Sequence, residues 1–195
     1  MEIKGYAIIT RQGYDPEKGK HVKDPYLGGG TPTFGACMPN VREQVTPGDH
    51  IFLISGKVPN ASQYVVGCLE VAEKINALTA YERFPEHRLR LRDDGQPTGN
   101  IIVDARGRQH PLDTHSSFER RIENYIVGRN PLVLTEPEEI ARGREETLGV
   151  LQSVLGKTGL IPIELISRFG KKLDYKQVQM LRDWLLSLKE RRKAS

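Results

Sequence analysis

The feature that most constrains how this chain can fold is a turn signal followed at once by two apolar runs. Pro47-Gly48-Asp49 combines residues that favour chain reversal, and it leads directly into His50-Ile51-Phe52-Leu53-Ile54-Ser55-Gly56. A run this short, apolar almost throughout and closed by glycine, predicts a buried strand. After a polar turn containing Pro59 and Asn60, the β-branched run from Tyr64 to Ala72 supplies a second strand, and the two predict an antiparallel pair. Gly67 inside the second run points to a bulge or to close approach of another backbone.

Ile3 to Thr10 alternates, with Tyr6, Ile8 and Thr10 on one face and Gly5, Ala7 and Ile9 on the other, which predicts a first strand. Arg11 to Thr33 has no sustained apolar period and contains Gly28-Gly29-Gly30, so it reads as a long loop, of the kind that is functional or disordered. Thr79 to Phe84 predicts a helical turn, and Ile101 to Asp104 a further short strand. Between Ser117 and Leu134 the signal is mixed, and Pro131 breaks any helix there. Glu136 to Leu155 reads as a helix with Glu138 and Glu139 near its N-terminus. In the last segment Asp174 is placed to cap a helix whose Val178, Leu181, Trp184, Leu185 and Leu188 form one apolar stripe. The fold class is α+β, with residues 1–135 as a β-rich domain and 136–195 as a helical extension packed on it.

Composition narrows the function classes. Hydrophobic residues are 37% and charged residues 28% of the 195, enough for one core. The start lacks a basic stretch followed by an apolar one, and no apolar run approaches the roughly 20 residues that span a bilayer. A soluble cytoplasmic protein with no membrane partner is expected. Cys37 and Cys68 lack a CxxC spacing and read as two free thiols. The net charge is +4, and residues 168–195 hold nine Lys and Arg against three Asp and Glu. Two readings stand for that basic end: a contact for a polyanion, or a solvated helix terminus.

The order of strand, Gly-rich loop, Pro-Gly-Asp, buried strand ending Ser-Gly, and Tyr-Val-Val-Gly-x-x-Glu-Val resembles the PUA-like superfamily, with its EVE, ASCH and YTH groups. Phe34 to Arg42, Pro47-Gly48-Asp49 and Gly99 to Asp104 look most like its nucleotide-modification-associated domains. The likeness covers about residues 1–104. It implies a partly open β-barrel with flanking helices, whose cleft accepts a base or nucleotide, often a modified one; the C-terminal amphipathic helix is read from its own apolar stripe.

A base held in a cleft needs a flat or apolar face, donors and acceptors for its edge, and cations for the phosphate. Phe34 and Met38 offer walls, Asn40 an amide, and Arg42 a planar fork that matches phosphate. Ser55 and Gly56 end the buried strand, where a hydroxyl and a missing side chain suit ligand approach. Arg11 and Tyr14 follow the first strand. Arg83 opens a span, to Arg129, with nine arginines and no lysine, and arginine stacks on bases and grips phosphate well. Asn100 and Asp104 flank the short strand. For each of these an ordinary turn, cap, surface ion-pair or solvated-loop role competes. The expected partner is nucleic acid or a nucleotide, bearing a modified base, with no cofactor, no metal and no assigned catalytic residue. Two alternatives are kept: an enzyme using Asp104, His110, Asp113 and His115 as acid, base or metal site, and an interaction module docking through the C-terminal helix.

Overall fold

The computed structural model describes residues 3–11, 13–18 and 24–193, with side chains as far as Glu190. Part of the Gly-rich loop (residues 12 and 19–23) and the basic side chains of Arg191, Arg192 and Lys193 therefore lie outside the described residues. In chain order the elements are β1 (Gly5–Ile9), β2 (Thr33–Phe34), α1 (Pro39–Gln44), β3 (His50–Ile54), β4 (Val65–Ile75), α2 (Ala77–Arg83), β5 (Arg90–Leu91), β6 (Pro97–Thr98), α3 (Phe118–Ile122), β7 (Tyr125–Val133), α4 (Pro137–Leu155), α5 (Pro162–Ile166), β8 (Lys171–Leu173) and α6 (Tyr175–Lys193).

Six strands form one mixed sheet in the order β2-β7-β4-β3-β1-β8, and β5 pairs with β6 in a separate hairpin. Only β1 and β3 run parallel; the other neighbours are antiparallel. The sheet has two edges, β2 and β8, and does not close on itself. The fold is thus α+β, an open sheet with helices.

The turn at Pro47-Gly48-Asp49 works as its composition dictates. Asp49 Oδ2 accepts from the Thr46 N–H at 2.7 Å, and the turn feeds β3, all five residues of which are buried. Ile51 lies opposite Leu69 in the antiparallel β3–β4 ladder, as expected. At Gly67 a Cβ would sit 2.4 Å from the Leu132 carbonyl oxygen, so only glycine lets β7 approach β4 this closely.

The mixed signal around Pro131 resolves into a strand. Proline excludes a helix interior but is tolerated where a strand is bulged. The β4–β7 register shifts between Cys68 and Glu70, opposite Leu132 and Arg129, and Asn130 there has φ of 48°. The strand expected over Ile101 to Asp104 does not join the sheet: Ile101 and Val103 make isolated bridges to Arg88 and Gln109. Their side chains instead fill a second small core with Ala77, Ala80, Tyr125 and Val127.

The C-terminal third completes the main core. Strand β8 pairs with β1, Gly5 opposite Leu173. The α6 stripe of Val178, Leu181, Leu185 and Leu188 is wholly buried against the sheet and α4, so this face is core and is not offered for docking. Asp174 does cap α6: its Oδ1 accepts from the Gln177 N–H at 2.8 Å, and Gln177 Oε1 accepts from the Asp174 N–H at 3.0 Å. Trp184 is half-buried, its indole N–H donating to Glu146 Oε2 at 2.8 Å. No helix among the described residues is long and apolar enough to cross a membrane.

Candidate functional site

Where β1 ends, the chain opens into a cleft of about 990 Å³, at the upper end of the roughly 300–1,000 Å³ usual for ligand pockets. One wall is the end of β1 with the residues just beyond it, Ile8 to Arg11 and Tyr14. A second is the 34–38 loop, and a third the β5–β6 hairpin with Gly99, Asn100 and Ile102. Loop residues 112–115, Arg121 of α3, Ile163 of α5 and Arg168 before β8 close the rim. Four arginines, Arg11, Arg92, Arg121 and Arg168, face this space with three carboxylates, Asp24, Asp94 and Asp113.

Asp24 builds the floor. Its Oδ1 accepts from the Gly35 N–H at 2.5 Å and from the Asn100 amide at 3.3 Å, and its Oδ2 from the N–H groups of Ala36, at 2.8 Å, and Cys37. Burial pushes the Asp24 carboxyl above its ordinary range, while those N–H donors and the nearby Arg42 charge oppose the rise. Asn100 is equally committed: its amide donates to Thr33 Oγ1 at 2.9 Å and its oxygen accepts from the Tyr125 hydroxyl at 2.8 Å. Asp24 and Asn100 therefore hold the cleft's shape, with little capacity left for a ligand.

Arg42 corrects the expectation of a phosphate fork. It is fully buried, and its five N–H groups donate to the carbonyl oxygens of Cys37, Glu123, Asn124, Ala36 and Arg121 at 2.7–3.3 Å. An arginine has no sixth donor. It laces the 36–37 loop to the end of α3, and burial lowers its pKa to about 10, still charged at neutral pH.

The other expected residues divide. Arg11, Tyr14, Phe34, Met38 and Asn100 line the cleft, although Phe34 is completely buried. Asn40 does not line it and donates instead to the Phe169 carbonyl at 3.0 Å. Ser55 is buried and its Oγ accepts from the Tyr64 N–H at 3.0 Å. Gly56 does permit a close approach, but the approaching group is the chain's own: a Cβ there would lie 2.0 Å from the Arg11 carbonyl oxygen. Arg83 pairs on the surface with Glu73 at 2.6 Å. Asp104 accepts from the N–H groups of Arg106 and Arg108 at 2.8 and 3.0 Å, a turn role, beside a second hollow.

The Asp104, His110, Asp113 and His115 cluster also splits. His110 Nδ1 accepts from the Leu112 N–H at 3.2 Å, while Asp113 and His115 pair within the cleft at 2.5 Å, Oδ1 to Nδ1. Among the described residues no group of three or more His, Cys, Asp or Glu is arranged to hold a metal ion. Burial and then the Asp24 charge push the Cys37 thiol up to about 12, which disfavours the thiolate.

No family model, no curated protein and no solved structure matches this chain. Its chemistry is therefore read from its own residues. The residues missed in the sequence were Asp24, Arg92, Arg121 and Arg168. For Arg92 and Arg121 the arginine bias between Arg83 and Arg129 was the available signal. Asp24 and Arg168, 144 positions apart by their numbers, meet only through the fold.

Proposed function

We propose that the chain binds a nucleotide unit, free or within a nucleic acid strand, in this cleft. The observation that carries the reading is the combination of a nucleotide-sized space with four arginines on its walls, which suits a planar ring together with its phosphate. Thr10 Oγ1 adds to it: the atom is buried at the cleft wall with no hydrogen-bond partner among the described residues. Next to the cleft-lining Arg92 and Arg168 along the chain stand exposed apolar side chains. Leu91 lies between Arg90 and Arg92, and Phe169 is 63% exposed with the Arg168 guanidinium 4.8 Å from its ring centre. Apolar faces alternating with cations suit a strand whose bases stack and whose backbone is anionic.

The resemblance of residues 1–104 to the PUA-like superfamily supports the same reading, and it adds a preference for a modified base. In that view the open sheet with its flanking helices is a partly open barrel of that kind. Catalysis on the bound nucleotide is the second reading, favoured by one observation, the oriented Asp113–His115 pair inside the cleft.

The test is fluorescence anisotropy with single- and double-stranded oligonucleotides, with and without common base modifications, at two salt concentrations. Affinity is expected to fall as salt rises, because phosphate contacts release counterions. The Arg168 guanidinium lies over the exposed Phe169 ring at the rim, so Arg168→Ala should weaken binding across sequences and lower the salt slope by about 1. Binding that ignores salt, or that survives Arg92→Ala and Arg168→Ala together, would refute the reading.

A further inference from the structure

Asp113, His115 and Arg11 form a chain whose hydrogen-bond directions chemistry dictates. A guanidinium only donates and keeps its charge. The contact of 3.2 Å from Arg11 Nη2 to His115 Nε2 therefore requires a lone pair on Nε2. The ring proton then sits on Nδ1, which donates to Asp113 Oδ1 at 2.5 Å. Asp113 is nearly inaccessible, its side chain 2% exposed, and its Oδ2 accepts from the Gln109 amide at 2.8 Å. Gln109 also donates to the His115 carbonyl at 3.1 Å, so carboxylate and imidazole are held as one unit. Arg11, by contrast, is exposed and has no carboxylate partner among the described residues.

A proton added to His115 would turn Nε2 into a donor facing a donor. The Arg11 bond is then lost, and two N–H groups carrying positive charge converge on one point of the cleft. An anionic oxygen at that point accepts from both. We propose that Arg11 and His115 form a phosphate subsite whose filling takes up one proton on His115; this rests on the nucleotide reading of the cleft. The charged groups that share the cleft with His115 are the carboxylates Asp24, Asp94 and Asp113 and the arginines Arg11, Arg92, Arg121 and Arg168. Asp24 lies on the floor, and the Cys37 thiol beside it is neutral. The incoming phosphate supplies the negative charge that shifts the balance.

Isothermal titration calorimetry with the full chain tests the subsite. The main probe is a dinucleoside monophosphate, whose single diester keeps its charge from pH 5.5 to 8.5. A 5′-mononucleotide runs in parallel, and the tighter of the two identifies the source as an internal diester or a terminal phosphate. The diester's affinity is expected to rise as pH falls, by up to about tenfold per pH unit for uptake of one proton, with close to one proton taken up when buffers of different ionisation enthalpy are compared. His115→Gln should abolish both the pH slope and the proton uptake. Arg11→Gln, at an exposed position, should weaken the diester at every pH even if the histidine variant folds poorly. Binding with no pH slope and no proton uptake, or an unchanged slope in His115→Gln, overturns the subsite and leaves the cleft reading standing. Failure of both probes to bind at any pH overturns both.

Discussion

Arg42 is the residue whose role most depends on seeing its surroundings. In sequence it is one more basic side chain near an apolar run; in the fold its guanidinium is fully buried and its five N–H groups satisfy five backbone carbonyls. Removing it takes those donors away from acceptors that are partly or wholly buried, of which, among the described residues, only Ala36 keeps a second donor, from Arg121, and an unpaired buried acceptor carries a desolvation cost. Arg42→Met is expected to destabilise by on the order of 3 kcal/mol or more, read as a lowered urea midpoint. It should also loosen the cleft wall, because the same bonds join the 36–37 loop to residues 121–124. A midpoint unchanged from the parent would mean that the carbonyls find other partners. Arg11 differs from Arg42 in nothing a sequence displays, yet it is the one left at the cleft surface.

At the scale of elements, local pattern was a reliable guide wherever one face had to be buried. The β3 run, its antiparallel partner β4 and the α6 stripe all follow from apolar spacing, and Asp174 caps as its side chain allows. Pattern failed where neighbours decided. Ile101 to Val103 has a strand's composition, but Ile101 and Val103 are drawn into the small core with Tyr125. The three-residue β8 has no sequence signal of its own and exists because β1 offers an unpaired edge. Because the α6 stripe is core, Leu185→Ala should cost about 2–5 kcal/mol. Thermal unfolding followed by the emission of Trp184, which is tied to α4 through Glu146, would measure it. A loss under 0.5 kcal/mol, the size typical of a surface position, would contradict the burial of Leu185.

Across the whole molecule, the sheet brings together the two ends of the chain, and burial there sets a pH dependence. His50 of β3 is buried beneath α6, its Nε2 receiving Arg182 Nη1 at 2.9 Å. Burial, and then the Arg182 charge, lowers its pKa below the ordinary value, against weaker support from Glu70 and Asp49. The folded state thus holds His50 neutral where the unfolded chain takes up a proton, near pH 6.5. Its stabilising contribution is present above that pH and is lost as pH falls, by up to about 1.4 kcal/mol per pH unit, until the folded form also protonates. Urea denaturation at pH 7.5 and 5.5 should show a smaller drop for His50→Gln than for the parent, a comparison in which other titrating groups such as His87 cancel. Equal drops would remove His50 as the cause.

The sequence by itself determined the elements that bury a periodic face, the mixed α and β character, and the excess of arginine in the middle of the chain. These depend on spacing along the backbone, which hydrophobic burial reads directly. Only the tertiary structure decided which arginines face a cleft and which disappear into the wall, that Asp24 knits its floor, and that Asp113 and His115 meet Arg11 from about 100 residues away. Those outcomes rest on which buried carbonyls and donors are left unpaired after the sheet assembles, a quantity no local stretch of residues contains.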